Sequence, residues 1–276
     1  MIGWMGIVNL TPDSFFEPSR VWIEGVSVSR ALERIQQLVA AGASIIDLGA
    51  VSTRPGAVIP SVEEEWGRLE PVLMELTKDS DSLQLCISID TFRSEIVRRA
   101  NAVIGDFIVN DISAGENDPE MLATAGKLGL EYVAMHKRGT PQTMDSLCDY
   151  PDGVVTELIH YFADFERRAA SVGLDKWILD PGLGFAKTVE QNWEILEQLP
   201  QLKVFGRPIL IGAANKRFTR DVPPRIAAWY DEYREGGFAS GTAGEMTPGK
   251  VSGTDIANAL AIAGGAAILR VHDIPE

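Results

Sequence analysis

Residues Trp177 to Leu196 read WILDPGLGFAKTVEQNWEIL. The first four are an apolar run closing on an aspartate. A strand covered on both faces has that composition, whereas a half-exposed strand alternates. The PGLGF that follows suits neither a strand nor a helix; its glycines form turns or let the backbone approach a ligand closely. Thr188 then stands as a helix N-cap, and Gln191, three positions on, completes a capping box ahead of VEQNWEIL. Strand, polar exit and capped helix in so short a span make one βα unit. A strand followed by a helix pairs in parallel with its successor, because the crossover returns the chain to the same edge.

The unit recurs along the chain. Further apolar runs fall at Gly6–Leu10, Ser44–Gly49, Leu85–Asp90, Phe107–Ile112, Tyr132–His136, Ile209–Ala213 and Ala267–Val271. Helical stretches lie between them at Val28–Ala41, Val62–Thr77, Ser94–Val103, Pro119–Leu128, Val154–Val172, Val189–Leu199, Pro224–Arg234 and Thr254–Gly264. In the first, Ala31, Leu32, Ile35, Leu38 and Val39 make a stripe of 3.6-residue period. Eight strands alternating with helices predict the α/β class and a (β/α)8 TIM barrel. Residues 1–276 are read as a single barrel domain, with a flexible insertion around 234–250, REGGFASGTAGEMTPGK. The sequence ends at Glu276, just past the eighth strand, so the last helix is expected to be missing. Either the natural chain continues or the barrel is open on that side.

Bulk properties narrow the function. A length of 276 residues suits one barrel, and 45% hydrophobic with 23% charged residues is ordinary for a globular enzyme. The net charge of −14 argues against general nucleic-acid binding, which needs a basic face. An anionic substrate would therefore have to be met by local cations. No run is long enough to span a membrane and no signal peptide is seen, so a cytoplasmic protein is expected. Cys86 and Cys148 have no metal-ligand spacing and read as buried or neutral thiols. No HExxH pattern is present, and catalytic zinc is not expected.

In such a barrel the active groups sit at the carboxyl ends of the strands. Those ends read NLTPDSF, DLGAVSTRPG, SIDTF, VNDIS, MHKRGTP, LDPGLGF, GAANKRF and RVHD. Eight polar exits aimed at one rim point to a site. Asp90, Asn110, Asp180 and Lys216 could together satisfy a planar heterocycle with several N–H donors and a carbonyl. Arg54, Arg270 and His272, with Ser52 and Thr53, form an anion set, since arginine meets phosphate oxygens in pairs. Asn9 offers an amide oxygen suited to Mg²⁺ bridging phosphates.

The motifs MGIVNLTPDSF, GASIIDLGAVSTRPGA, SIDTF, VNDISAG, MHKRGTPQTM, ILDPGLGFAKTVEQN, GAANKRF and AILRVHD, in this order from Met5 to Asp273, resemble the dihydropteroate synthase family of folate biosynthesis. That resemblance implies condensation of 6-hydroxymethyl-7,8-dihydropterin diphosphate with 4-aminobenzoate, with Mg²⁺ as cofactor. It implies catalytic roles for Asp90, Lys216 and Arg270. The pterin would sit on Asp90, Asn110, Asp180 and Lys216, walled by Ile112, Met135 and Phe185. The diphosphate would meet Asn9 through the metal, with Thr53, Arg54, Arg270 and His272. The 4-aminobenzoate would lie beside Thr53, Pro55, Phe185, Lys216 and Arg217. Two loops, about Thr11–Trp22 and Ser52–Pro60, would close over it, and a homodimer and a sulfonamide target would be expected. The partners implied are small molecules, with no nucleic acid and no membrane.

The chain also departs from the family pattern. Ala214–Arg217 reads Ala-Asn-Lys-Arg in place of the usual Ser-Arg-Lys-Ser, Val51 replaces an acidic residue, and EPSRVW lacks Asp-Gly-Gly. Two alternatives stand beside the main reading. One is a pterin-binding methyltransferase domain that passes a methyl group to a corrinoid protein. The other is a paralogue that binds pterin without catalysis.

Overall fold

The computed structural model describes residues 2–11, 27–51, 58–79, 85–140, 142–235 and 251–275. All eight expected strands are present: β1 (Gly3–Asn9), β2 (Ile45–Gly49), β3 (Cys86–Asp90), β4 (Ile108–Asp111), β5 (Glu131–Met135), β6 (Trp177–Asp180), β7 (Leu210–Ile211) and β8 (Ile268–Val271). Every pairing is parallel, in the order β6-β5-β4-β3-β2-β1-β8-β7. A lone bridge between Leu179 and Ile209 brings β6 to β7 and closes the ring.

The helices are α1 (Val28–Ala40), α2 (Val62–Leu76), α3 (Ser94–Ile104), α4 (Met121–Leu128), α5 (Val154–Ser171), α6 (Val189–Glu197), α7 (Pro224–Glu235) and α8 (Gly253–Gly264). The capping box expected at Thr188 is formed, and Ser61–Glu64 and Ser252–Asp255 repeat it at α2 and α8. A 3₁₀ segment, Leu199–Phe205, takes over where α6 was expected to continue through Leu199. Pro200 explains the change, since it has no N–H to donate to the α-helical ladder.

Of the two alternatives for the end of the chain, an open barrel is not seen: β8 pairs with β1 on one side and β7 on the other. Two helices, α7 and α8, intervene between β7 and β8, and no helix follows β8 among the described residues. The exit of β8 is held from α1 instead, where buried Arg34 donates to the His272 carbonyl and to Asp273 Oδ1 at 2.7 Å. Most of the insertion expected around 234–250 lies outside the described residues.

Alternation along the strands divides the core in two. Residues such as Val8, Ile46, Leu48, Ile89, Val109, Ala134, Leu179, Ile211 and Leu269 face the helices in the large outer core. Met5, Ile45, Ile108, Val133, Ile178, Leu210 and Ile268 form a separate apolar plug inside the ring. Two residues further along the same inward faces stand Asp47, Asn110, Asp180, Gly212 and Arg270, as the two-residue strand period requires. The interior is therefore apolar at the amino end of the barrel and polar at the carboxyl end. Of the two thiols expected to be buried or neutral, Cys86 is the neutral kind, its pKa raised by desolvation and by Glu131. It sits at the first position of β3, at the amino end of the barrel, and is exposed.

Candidate active site

Strand register brings the inward polar groups together. Asn9 pairs with Gly49, Gly49 with Asp90, and Asp90 with Asn110, along one row of the ring. Gly49 leaves room in that row: a Cβ there would lie 3.7 Å from Asn9 Oδ1 and 3.8 Å from Asp90 Oδ2. On the next strands Met135 pairs with Asp180, and both are buried.

The floor of the cup is organised by a residue absent from the anticipated site set, Asp47. It is fully buried on β2 and accepts from three other strands, β3, β4 and β8. Ser88 Oγ donates to it at 2.6 Å and Asn110 Nδ2 at 3.2 Å, while Arg270 donates from Nε at 2.7 Å and Nη2 at 2.6 Å. Since Asn110 spends its NH₂ on Asp47, its carbonyl oxygen is left for a ligand donor. Arg270 also reaches Asp90 Oδ2 at 2.9 Å. It thus lies deeper than a residue of the lip, bridging two carboxylates.

Burial pushes the Asp90 carboxyl up to about 7; the Arg270 guanidinium opposes this and Asp47, Asp111 and Glu65 add to it. Burial also raises Asp180, against the pull of Lys216 and the Gly182 N–H, which Asp180 Oδ1 accepts at 2.8 Å. Lys216 is lowered by burial to about 8, opposed by Asp180. Its Nζ donates to the Leu183 carbonyl and sits 5.0 Å from the centre of the Phe185 ring. A Cβ on Gly212 would be 3.9 Å from both Lys216 Nζ and Arg270 Cβ, so the two cations approach over that glycine.

The structure therefore gathers Asn9, Asp90, Asn110, Asp180, Lys216 and Arg270 at one end of one barrel, with Met135 and Phe185 beside them. Ile112, just past β4, is half-buried. His272 follows β8 at the same end, half-buried, with its carbonyl held by Arg34. Arg217 is set apart. It begins the 3₁₀ turn Arg217–Arg220, is largely exposed and faces Asp145 at 3.7 Å on the rim. Thr53, Arg54 and Pro55 lie outside the described residues, as do most of the two loops expected to close. The stems of the second loop are fixed from below. Arg68 donates to the Ala50 carbonyl at 2.8 Å, and Arg93, paired with buried Glu65, donates to the Pro60 carbonyl at 2.5 Å.

Carboxylates and an amide oxygen that accept, an ammonium that donates, and a flat aromatic wall define a cup for a planar, nitrogen-rich bicycle, the arrangement of a pterin-binding barrel enzyme. The chain matches the pterin binding enzyme family over residues 5–272. It is 39% identical to a dihydropteroate synthase from Synechocystis sp., over 98% of this chain and 84% of that protein. Among solved structures it resembles the dihydropteroate synthase of Yersinia pestis in a sulfonamide drug complex, with TM-score 0.77, 30% identity and coverage of 99% of this chain and 88% of that one. It resembles equally that of Xanthomonas albilineans with 4-aminobenzoic acid, with TM-score 0.75, 33% identity and coverage of 99% and 88%. The chain belongs to the dihydropteroate synthase family, transferases of folate biosynthesis.

Among the described residues no helix is long and apolar enough to cross a membrane, and no cluster of three or more His, Cys, Asp or Glu could hold a metal ion.

Proposed function

We propose that this chain condenses 6-hydroxymethyl-7,8-dihydropterin diphosphate with 4-aminobenzoate, releasing 7,8-dihydropteroate and diphosphate. The observation that carries the reading is the convergence of Asp90, Asn110, Asp180 and Lys216 at one end of the barrel. The pterin N–H edge is met by the carboxylates of Asp90 and Asp180 and by the free oxygen of Asn110. Its ring nitrogen or carbonyl is met by Lys216, with Ile112, Met135 and Phe185 as walls. Arg270 belongs between ring and diphosphate, with Asn9, Thr53, Arg54 and His272 completing the diphosphate site. The 4-aminobenzoate enters at the rim, near Thr53, Pro55, Phe185, Lys216 and Arg217.

In the reaction the bond from the pterin methylene carbon to the diphosphate oxygen breaks, and its electron pair leaves on diphosphate. The positive charge left on the methylene spreads into the pterin ring, where Asp90 stabilises it. The amine nitrogen of 4-aminobenzoate bonds to that carbon and sheds a proton. No covalent enzyme intermediate is needed. A hard cation fits the donors present: Asn9 Oδ1 and an Asp90 carboxylate oxygen both face Gly49, where a Cβ would lie 3.7 Å from the one and 3.8 Å from the other, and Mg²⁺ takes few protein ligands when phosphates supply the rest. Bound there with Asn9, Mg²⁺ would neutralise charge on the leaving diphosphate. A single barrel domain, a cytoplasmic location, a homodimeric assembly and competition by sulfonamides against 4-aminobenzoate belong to the same reading.

The test is direct. Purified protein, pterin diphosphate, Mg²⁺ and labelled 4-aminobenzoate should give a labelled condensation product. Pterin binding without product would favour the non-catalytic paralogue. Methyl transfer from a folate to cobalamin would favour the methyltransferase.

A further inference from the structure

Lys187 ends the turn after β6 and immediately precedes the N-cap of α6, a place where a lysine ordinarily reaches into water. Here it is buried, 7% exposed, and turned inward. Its Nζ lies 3.0 Å from His136 Nδ1, 3.0 Å from the Gly182 carbonyl and 2.9 Å from the Phe185 carbonyl. An ammonium has three N–H donors and nothing else to offer, so three acceptors around it match it fully. His136 is the unusual member. Burial, with Lys187 and Arg138 nearby, pushes its imidazole down to about 2, so the ring is neutral. With Lys187 as the ammonium, Nδ1 accepts from it and the ring proton resides on Nε2. Burial pushes Lys187 down to about 7, while Asp180 draws it back up.

What these bonds hold is the stretch from Asp180 to Ala186. Its backbone is not self-supporting, because Gly182, Gly184 and Ala186 all have positive φ, at 67°, 80° and 50°. An alanine in that region costs about 1–2 kcal/mol, so outside contacts must fix the shape. Asn192 Oδ1 accepts from the Gly184 N–H at 2.6 Å, the Tyr150 hydroxyl donates to the Ala186 carbonyl at 2.8 Å, and two lysines grip the stretch from opposite sides. Lys216 takes the Leu183 carbonyl from within the cup, and Lys187 takes the carbonyls of Gly182 and Phe185 from within the wall. The stretch carries the Asp180 carboxylate, anchored on the Gly182 N–H, and the Phe185 ring beside Lys216.

We propose that Lys187 is a positioning residue of this enzyme: together with His136 it pins the Asp180–Ala186 turn in the one shape that presents Asp180, Phe185 and the Leu183 carbonyl correctly to the pterin ring and to Lys216. The proposal rests on the pterin reading of the cup. The wild-type protein is therefore assayed first, and a wild type without condensation activity sinks that reading before any variant is read.

Lys187→Met keeps the length of the side chain and removes the tripod. With two carbonyls and an imidazole left unsatisfied, KM for the pterin diphosphate is expected to rise about tenfold to a hundredfold. At saturation kcat should stay within about fivefold of wild type, because no reacting group has been removed. A folded Lys187→Met protein with KM within about twofold of wild type overturns the proposal, and so does a loss confined to kcat. Should that variant not fold, His136→Phe removes one arm and leaves both carbonyl bonds. It should raise the same KM about threefold to tenfold, and an unchanged KM overturns the proposal. An independent readout needs no turnover: ¹⁵N spectra of the wild type should show His136 as the neutral Nε2–H tautomer. An imidazolium or an Nδ1–H tautomer at neutral pH would contradict the tripod.

Discussion

Replacing Asp47 by asparagine removes one charge from the floor of the cup with almost no change in volume. In the native barrel its two oxygens receive the Ser88 hydroxyl, the Asn110 NH₂ and two nitrogens of Arg270. An asparagine offers one oxygen and one NH₂. The serine hydroxyl can turn to accept from the new NH₂, but neither Asn110 Nδ2 nor Arg270 can accept anything. The remaining oxygen must then serve both, and without charge assistance. Removing one partner of a buried ion pair costs about 3–5 kcal/mol. Here Arg270 keeps Asp90 at 2.9 Å and its side chain is 25% exposed, which softens the loss. A destabilisation of about 2–4 kcal/mol is expected. Urea denaturation followed by circular dichroism measures it as a lower midpoint with an unchanged slope. Pterin affinity should fall in the same protein, since Arg270 is drawn wholly to Asp90 and the Asn110 amide is free to flip. A midpoint shift equivalent to less than about 0.5 kcal/mol, typical of a neutral surface substitution, would refute the assignment of Asp47 as the hub.

Gly182→Ala places a Cβ 2.0 Å from the His136 carbonyl at a position with φ of 67°; a loss of more than about 3 kcal/mol and of pterin binding is expected, read by thermal melting and calorimetry. Pterin affinity should peak between about pH 7 and 8. The Asp90 carboxyl, raised to about 7, becomes protonated below that pH, and affinity falls up to about tenfold per unit; the Lys216 ammonium, lowered to about 8, is lost above that pH. Calorimetric titrations from pH 5.5 to 9.5 check this, and a flat profile would contradict it. Thr188→Ala removes the cap bond from Gln191 N at 3.2 Å and should cost about 1 kcal/mol by denaturation while leaving both KM values unchanged.

The order of strands and helices was legible because each signal is local: an apolar run, a capping residue, a stripe of period 3.6. The placement of Asp90, Asn110, Asp180 and Lys216 was legible because barrel topology sends every strand end to one rim. Asp47 was not picked out, although its signal is present. It is the only charged residue in SIIDLG, and counting in twos from Ile45 puts it on the inner face with Gly49. Reading the strands as uniformly covered runs hid that alternation. Lys187 carried no comparable signal, since a lysine before an N-cap looks solvated until the positive-φ turn folds it inward. The depth of Arg270 was equally hidden, because it depends on partners over 150 residues away in sequence, Asp47 and Asp90. The closure of β8 against β7 depends on two residues of β7, too short a strand for any pattern to announce.

That short strand has a mechanical corollary. Seven of the eight junctions around the hoop are ladders, and the eighth, from β6 to β7, is a single bridge at Leu179 and Ile209, backed by the Leu179 N–H on the Pro208 carbonyl. Directly above it, Lys216 from the β7 side grips Leu183 from the β6 side. A bicycle lodged between Asp180 and Lys216 would straddle the same gap and act as its clasp. Occupancy and closure would then be two faces of one equilibrium: what fastens the hoop retains the guest, and the guest in turn fastens the hoop.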